Sequence, residues 1–189
     1  RKSDPTNTPA FKKWFGNSVV KTRSGKPRVM YHATVNDFDA FDTSMSDLGA
    51  HFGTEEQANN IAEYRLGGWR ETGISPRVIP VYLKIENPLR LKDVGTFHAD
   101  GIAPQLEKLG MLPRGEGRRI QKEIDNNWRL RKQYDPMLRN IIKEAGYDGI
   151  VYKNTAPREG QGECYIAFEP TQIKSINNQG TFDPENPNI

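Results

Sequence analysis

The chain has 189 residues, a length that suits one domain with a buried core. Hydrophobic residues make up 35% and charged residues 27%, a polar composition that still differs from that of a disordered chain. No segment approaches the roughly 18 consecutive apolar residues that a membrane-spanning helix needs, so we expect no membrane contact.

The single cysteine and the few histidines limit the kinds of site that the chain can build. Cys164 excludes an internal disulfide and a metal site built on cysteines, and it favours a reducing compartment such as the cytoplasm. His32, His51 and His98 lack the spacing typical of a zinc-binding helix, so we expect no metal. The first residues lack an initiator Met and the apolar core of a signal peptide, and we expect a domain of a longer polypeptide or a processed product.

The net charge of +3 diagnoses no partner, but the charge is unevenly distributed. Residues 112–144 carry nine Lys and Arg against five acidic residues. A basic helical face of this kind can follow the phosphates of a nucleic acid. The alternative interpretation is a solvated helix whose cations are interspersed with acids.

Helix signals occur in several separate parts of the chain. Thr8 followed by Pro9 is typical of a helix N-terminus, and Gly16 ends that short helix. Thr54, followed by two glutamates, predicts the start of another helix, which Gly67 ends. The sequence predicts helices over 9–15, 55–66, 103–109, 118–133 and 136–145.

Strand signals come early and late, with most helices between them. Turn residues at 24–27 predict a hairpin, and β-branched and aromatic residues dominate 77–85. This order predicts an α+β fold and not a regular βαβ series. We also expect a flexible lead-in over 1–8, one domain over 9–180 and an extended tail over 181–189. The predicted strands cover 18–22, 28–32, 77–85, 149–152, 164–168 and 173–176.

Three segments carry side chains suited to cleavage of a nucleotide sugar bond. His32 ends a predicted strand, where its ring can hydrogen-bond a ribose hydroxyl. His51 lies on a second strand and offers a flat ring that can stack on an aromatic base. Glu163 precedes a third strand, and a carboxylate there can stabilise positive charge that develops at an anomeric carbon. Loss of nicotinamide from a ribose breaks a bond of this class.

These segments resemble the three motifs of the ADP-ribosyltransferase superfamily in its histidine–tyrosine–glutamate lineage, which is typified by diphtheria toxin and poly-ADP-ribose polymerases. The chain is most similar to the ADP-ribosyltransferase domains of phage polyvalent proteins. The resemblance implies an ADP-ribosyltransferase-like split β-sheet core with peripheral helices. Family-like phrases occur in order over about 170 residues, at 14–18, 25–27, 31–34, 38–42, 51–58, 87–89, 146–150, 168–175 and 180–184.

The first two motifs imply how NAD would be held. His32 matches the histidine that holds an NAD ribose hydroxyl, and the Ala33 backbone would hold the nicotinamide amide, where the family commonly has glycine. Alanine fits there only if its φ stays negative. His51 stands where the lineage more often has the tyrosine that lines the nicotinamide pocket. The resemblance also implies contacts to NAD from the motif neighbours Thr34 and Phe52, and from Tyr64 on the following helix.

The third motif departs from the family pattern. The family's glutamate usually comes directly before a Tyr-Ile-x-Phe run, a place that Cys164 occupies here, and Glu163 lies one residue earlier. Because a shift of one residue on a strand reverses the face, Glu163 can serve only if the chain bulges at Gly162 or the strand starts later.

The resemblance implies a mono-ADP-ribosyltransferase that cleaves the nicotinamide–ribose bond of NAD and transfers ADP-ribose to a macromolecule. His32, His51 and Glu163 would be its catalytic residues, and no metal is needed. The acceptor would be a protein or a nucleic acid, the latter with the 112–144 stretch as docking surface. A phage or mobile-element effector acting in the bacterial cytoplasm fits this activity. The alternative is a catalytically weak or inactive module that binds NAD or ADP-ribose.

Overall fold

The computed structural model of the chain describes residues 4–44, 47–64, 75–178 and 182–189. Its seven strands form two sheets within these ranges. One sheet has the order β1-β3-β7 and the other the order β2-β6-β5-β4, with all neighbours antiparallel except the parallel pair of β4 and β5. The strands are β1 (Met30–Thr34), β2 (Ala50–Phe52), β3 (Arg77–Leu83), β4 (Pro88–Arg90), β5 (Gly149–Asn154), β6 (Gly162–Ala167) and β7 (Ile173–Ser175).

Five α-helices surround the two sheets in the described ranges. Thr8 caps the first helix, since its hydroxyl accepts a hydrogen bond from the Phe11 N–H. The two separate sheets and the helices around them confirm the predicted α+β class and the split-sheet architecture with peripheral helices. The helices are α1 (Pro9–Phe15), α2 (Glu55–Tyr64), α3 (Ala99–Lys108), α4 (Glu116–Asn126) and α5 (Arg131–Glu144).

Three apolar clusters hold the layers together. The inner faces of the two sheets enclose one cluster, to which β1 contributes Met30, β3 contributes Val81 and β6 contributes Tyr165. The outer face of the four-stranded sheet packs against α3, α4 and α5. The outer face of the three-stranded sheet contributes Tyr82 to an aromatic cluster with α1 and Phe182. Alternation of side chains along each strand produces these two-sided sheets.

Several predicted boundaries differ from those of the structure. The predicted helix 118–133 is divided at Asn127, whose φ of −150° breaks the helix, and a short 3-10 turn leads into α5. Pro136 therefore lies inside α5 and does not begin it. The segment 18–22 forms only an isolated bridge at Lys21, although the turn that follows is present, with Gly25 at φ 82°. The predicted end of α2 at 65–68 lies outside the described residues.

The ends of the chain contact the domain. Residues Pro5–Asn7 form a 3-10 helix, and Phe182 is buried beside α1. Lys174 in β7 is almost completely buried, and its ammonium group donates hydrogen bonds to the backbone carbonyls of Asn186 and Asn188. The division into a lead-in over 1–8, a domain over 9–180 and a tail over 181–189 stays a prediction.

Candidate functional site

A cavity of about 610 Å³ opens where the two sheets separate between β1 and β2. This volume lies within the range of roughly 300–1,000 Å³ typical of small-molecule sites. Five of the residues predicted to bind NAD line it, namely His32, Ala33, Thr34, His51 and Phe52.

The separation of β1 from β2 determines which backbone groups face the cavity. Tyr31 and Gly53 exchange two backbone hydrogen bonds of 2.9 Å, and the two strands diverge beyond this bridge. Backbone groups of alternate residues on a strand point to the same edge, so the N–H and C=O of Ala33 point in the same direction as those of Tyr31. Positive φ among non-glycine residues of the described ranges occurs only at Phe182, so Ala33 meets the condition of a negative φ.

His32 spans the gap between the diverging strands. Its Nδ1 lies 2.8 Å from the carbonyl oxygen of His51, and because a carbonyl only accepts, Nδ1 carries the hydrogen. Burial lowers the pKa of His32 below its ordinary value, so the ring is neutral at pH 7 and Nε2 keeps its lone pair. Phe41 and Phe52 pack against the ring, with centroid distances of 5.0 and 5.6 Å, and fix its orientation.

His51 belongs to a chain of hydrogen bonds on the wall of the cavity. Its Nε2 lies 2.7 Å from a carboxylate oxygen of Asp47, and its Nδ1 lies 3.2 Å from the Tyr152 hydroxyl. Burial alone would raise the pKa of Asp47. The charge and hydrogen bond of His51, with smaller effects of His98 and the Leu48 N–H, outweigh burial, so the pKa of Asp47 lies below its ordinary value. Asp47 therefore holds the ring through Nε2–H.

Cys164 occupies the cavity-facing position of the third motif. It is 5% exposed, lies directly opposite Tyr152 across β5 and β6, and places its Sγ 3.5 Å from the Gln57 side-chain oxygen. Burial raises the pKa of the thiol to about 11, so Cys164 is a neutral thiol at pH 7. The third motif thus presents a small uncharged group to the cavity.

Glu163 lies on the other face of β6. The pairing of β5 and β6 continues without a bulge from Gly149 opposite Ala167 to Asn154 opposite Gly162, so Glu163 stands opposite Lys153. Its carboxylate forms an ion pair of 2.8 Å with Arg90 at the surface. The structure does not bring Glu163 to the cavity beside His32 and His51.

A loop over 155–161 carries a different carboxylate to the cavity. Glu159 lines it, and one of its oxygens accepts a hydrogen bond of 3.3 Å from the Asn154 amide. The amide groups of Asn154 and Gln57 both donate to the carbonyl oxygen of Gly160, at 3.3 Å each. Gly160 has a φ of 88°, which favours glycine.

The remaining predicted contacts are divided between two sites. Thr34 and Phe52 are buried in the cavity wall, and the Thr34 hydroxyl accepts from the Asn36 N–H at 3.0 Å. Tyr64 is 65% exposed and lines a neighbouring cleft of about 380 Å³, which shares Ile61 and Glu159 with the main cavity.

Sequence reasoning missed Asp47, Gln57, Tyr152 and Glu159. Two of them left a signal, since Asp47 precedes His51 by four residues, and Gln57 stands three residues after Thr54. Thr54 and Gln57 form a capping box, in which each side chain bonds the other's backbone N–H, at 2.7 and 3.2 Å.

Acidic partners neutralise part of the basic stretch over 112–144. Arg119 forms ion pairs with Glu116 and Glu123, and Arg131 forms a bidentate pair with Asp100. Lys143 pairs with Glu169, and Arg139 donates to the Thr43 carbonyl. The other five cations are exposed, namely Arg114, Arg118, Lys122, Arg129 and Lys132.

Neither a metal site nor a membrane-spanning helix is found in the described part of the chain. No group of three or more His, Cys, Asp or Glu side chains there has a geometry that could hold a metal ion. In the same ranges, no helix has both the length and the apolar character needed to cross a membrane.

Comparison with known proteins identifies the family. The family model described as ADP-ribosyltransferase in polyvalent proteins matches residues 22–182 of 189. No curated protein and no solved structure matches the chain. The matched range contains the two diverging strands, the cavity and the loop over 155–161. The chain belongs to the family of ADP-ribosyltransferase domains of polyvalent proteins.

Proposed function

We propose that the domain is a mono-ADP-ribosyltransferase that binds NAD in the cavity, cleaves the nicotinamide–ribose bond and transfers ADP-ribose to a macromolecule. The observation that carries the proposal is the placement of His32, whose neutral ring spans the gap between the sheets with Nδ1 bonded to the His51 carbonyl. Family membership supports it, because ADP-ribosyltransferases use NAD as substrate.

The residues of the cavity suit the two ends of a nicotinamide riboside. The lone pair on Nε2 of His32 can accept a hydrogen bond from a ribose hydroxyl. The N–H and C=O of Ala33 offer a donor and an acceptor, the pair that a carboxamide complements. His51, held by Asp47, offers a flat ring beside the nicotinamide. These contacts fit the polar and aromatic lining typical of a ligand site.

The reaction breaks the bond between C1′ of the ribose and the nicotinamide nitrogen. The bonding electrons leave with the nitrogen, nicotinamide departs neutral, and an oxocarbenium-like cation develops on the ribose. A nucleophilic oxygen or nitrogen of the acceptor then bonds to C1′, and its proton passes to a base. A carboxylate close to C1′ would stabilise the cation. The role assigned to Glu163 from the sequence stays a prediction.

A second candidate function is a module that binds NAD or ADP-ribose without turnover. Two observations favour it, namely the neutral Cys164 thiol in the cavity-facing position and the ion pair between Glu163 and Arg90 outside the cavity. Binding without release of nicotinamide would distinguish this function from the transferase.

The acceptor and the setting are also proposals. A protein or a nucleic acid can serve as acceptor, the latter docked on the exposed cations of 112–144. Membership in the polyvalent-protein family supports a phage or mobile-element effector that modifies a host molecule in the bacterial cytoplasm.

The test incubates the purified domain with NAD labelled in its adenylate half and with bacterial lysate, and portions are then treated with protease or nuclease. His32→Asn removes the proposed ribose contact. His98→Asn is the matched control, because His98 lies outside the cavity lining and an Asn amide can still donate to the Asp135 carboxylate, which the His98 Nδ1 bonds at 2.7 Å. Asn is also a good residue for this place at the N-terminus of α3. Label lost with His32→Asn but kept with His98→Asn supports the transferase. Bound NAD without label or nicotinamide release establishes the binding module.

A further inference from the structure

The cavity holds carboxylates other than the one that the third motif predicts. Among the described residues Asp42, Asp47 and Glu159 line it. Asp42 accepts hydrogen bonds from the backbone N–H and the hydroxyl of Ser44, within its own turn. Asp47 bonds to His51 and to the Leu48 N–H. The bonds of both carboxylates therefore stabilise the local structure of the cavity wall.

Glu159 differs in the element that carries it. It lies on the loop over 155–161, which joins β5 to β6 and so leads directly into the third motif. Two buried amides hold this loop at Gly160, one from Asn154 at the end of β5 and one from Gln57 in α2. The loop is therefore fixed to the same two elements that flank Cys164, and Glu159 is placed at the cavity by these bonds.

The charge of Glu159 acts at the place where the third motif presents its side chain. Burial raises the pKa of the Cys164 thiol, hydrogen bonds of Tyr152 and Gln57 lower it, and the charges of Glu159 and Asp93 raise it further. Glu163 has a different environment, because it lies across the strand and pairs with Arg90 at 2.8 Å. Of the two carboxylates whose charge acts on the thiol, Glu159 lines the cavity and Asp93 does not.

We propose that Glu159, and not Glu163, supplies the carboxylate that contacts the ribose and stabilises the cation at C1′. This inference rests on the proposed function. Cys164 leaves the cavity-facing position of β6 without a carboxylate. Glu159, on the adjoining loop, supplies the negative charge instead. Glu159 also lines the neighbouring cleft that contains Tyr64, so this residue borders both spaces.

Because it borders both spaces, Glu159 has a second part in the same reaction. As the C1′–nitrogen bond breaks, its negative charge opposes the positive charge that develops on the ribose. When the acceptor oxygen or nitrogen bonds to C1′, the acceptor proton passes to the Glu159 carboxylate and from there to water. The products are neutral nicotinamide, the ADP-ribosylated acceptor and a proton released to water.

The experiment compares Glu159→Gln with Glu163→Gln in the same full-length domain. Glutamine keeps the size of the side chain, and its oxygen can still accept the hydrogen bond of Asn154, so both variants are expected to fold. Nicotinamide release gives kcat and KM, and NAD affinity is measured separately by titration calorimetry. Thermal unfolding of each variant checks the fold.

We expect Glu159→Gln to lower kcat by about 100-fold or more with NAD affinity changed less than about threefold, because a group that acts in the transition state contributes to kcat. We expect Glu163→Gln to leave kcat within about twofold, because its ion pair is at the surface. The reverse pattern, or equal losses, would overturn the role of Glu159 and leave the transferase intact. A wild-type domain that binds NAD but releases no nicotinamide would overturn both proposals together.

A gain-of-function variant gives an independent readout. Cys164→Glu places a carboxylate on the cavity-facing side of β6. We expect the double variant Cys164→Glu, Glu159→Gln to have a kcat at least about tenfold higher than that of Glu159→Gln alone. Cys164→Gln is the matched neutral control, and equal rates for the two double variants would argue against a missing negative charge.

Discussion

Nδ1 of His32 lies 2.8 Å from the carbonyl oxygen of His51, so a side chain of β1 takes the place of a backbone bond between two diverging strands. The bond links the first two motifs of the family and fixes the tautomer of His32. His32 therefore has two roles: its Nδ1 links the two strands across the gap, and its Nε2 is left with a lone pair that can accept a hydrogen bond.

We expect His32→Asn to weaken NAD binding by about fivefold, because one ligand hydrogen bond contributes about 1 kcal/mol. Isothermal titration calorimetry with NAD measures the change, and His98→Asn is the control. An unchanged affinity in a folded variant would mean that NAD does not contact Nε2.

NAD binding and the stability that His32 contributes should both fall as the pH decreases below about 6.5. Burial lowers the pKa of His32 below its ordinary 6.5, so the unfolded chain takes up a proton at a higher pH than the folded one. The stability that His32 contributes is therefore fully present above about pH 6.5 and is lost as the pH falls through its folded pKa. Protonation also removes the Nε2 lone pair. Urea unfolding and NAD titration of wild type and His32→Asn across this range measure both effects, and identical pH profiles would contradict the assignment.

The Cys164 thiol should react slowly, and NAD should slow it further. Burial raises its pKa to about 11, so a minute fraction is thiolate at pH 8. Reaction with a disulfide reagent measures the rate, and the urea-unfolded chain, with its single cysteine, gives the full amplitude for reference. Fast labelling that NAD does not affect would place Cys164 outside the NAD site.

We expect Gln57→Ala to lower the free energy of unfolding by about 1–3 kcal/mol, because it removes a buried side chain whose polar atoms link the start of α2 to the loop over 155–161. The substitution removes bonds to the Thr54 N–H and the Gly160 carbonyl. Urea unfolding measures the loss, and Gln161→Ala, in the same loop region, is the control. Since Gln57 also fixes the loop of Glu159, kcat should fall more than NAD affinity. Equal stability of the two variants would show that the capping box contributes little.

A nucleic-acid acceptor docked on the exposed cations of 112–144 predicts strong salt dependence. Five phosphate contacts would weaken docking by about 10²-fold or more between roughly 50 and 200 mM salt. Replacing Lys122 and Arg129 by Ala should reduce this slope, whereas Lys143→Ala, which removes a cation already paired with Glu169, should change it less. Modification that ignores both salt and the double variant would exclude this surface as the docking site.

The sequence alone determined the family and the α+β class, because local residue types carry that information. It also predicted His32 and His51 as site residues, and both line the cavity. His32, Ala33 and His51 lie in short family-like phrases that follow one another in the expected order along the chain. Thr54 starts its helix through a capping box formed within four residues. Composition also revealed the basic stretch over 112–144. It could not reveal that some of these cations are neutralised, because their partners Asp100 and Glu169 belong to other elements.

Only the tertiary structure decided which carboxylates line the cavity. The side-chain face of Glu163 depends on the register of β5 with β6, and a difference of one residue reverses it. Asp47, Tyr152 and Glu159 come to the site from three different segments, and no local pattern records which distant partners a side chain meets. Spacing along a chain specifies the elements, whereas strand register and loop anchoring specify which of their atoms meet at the site.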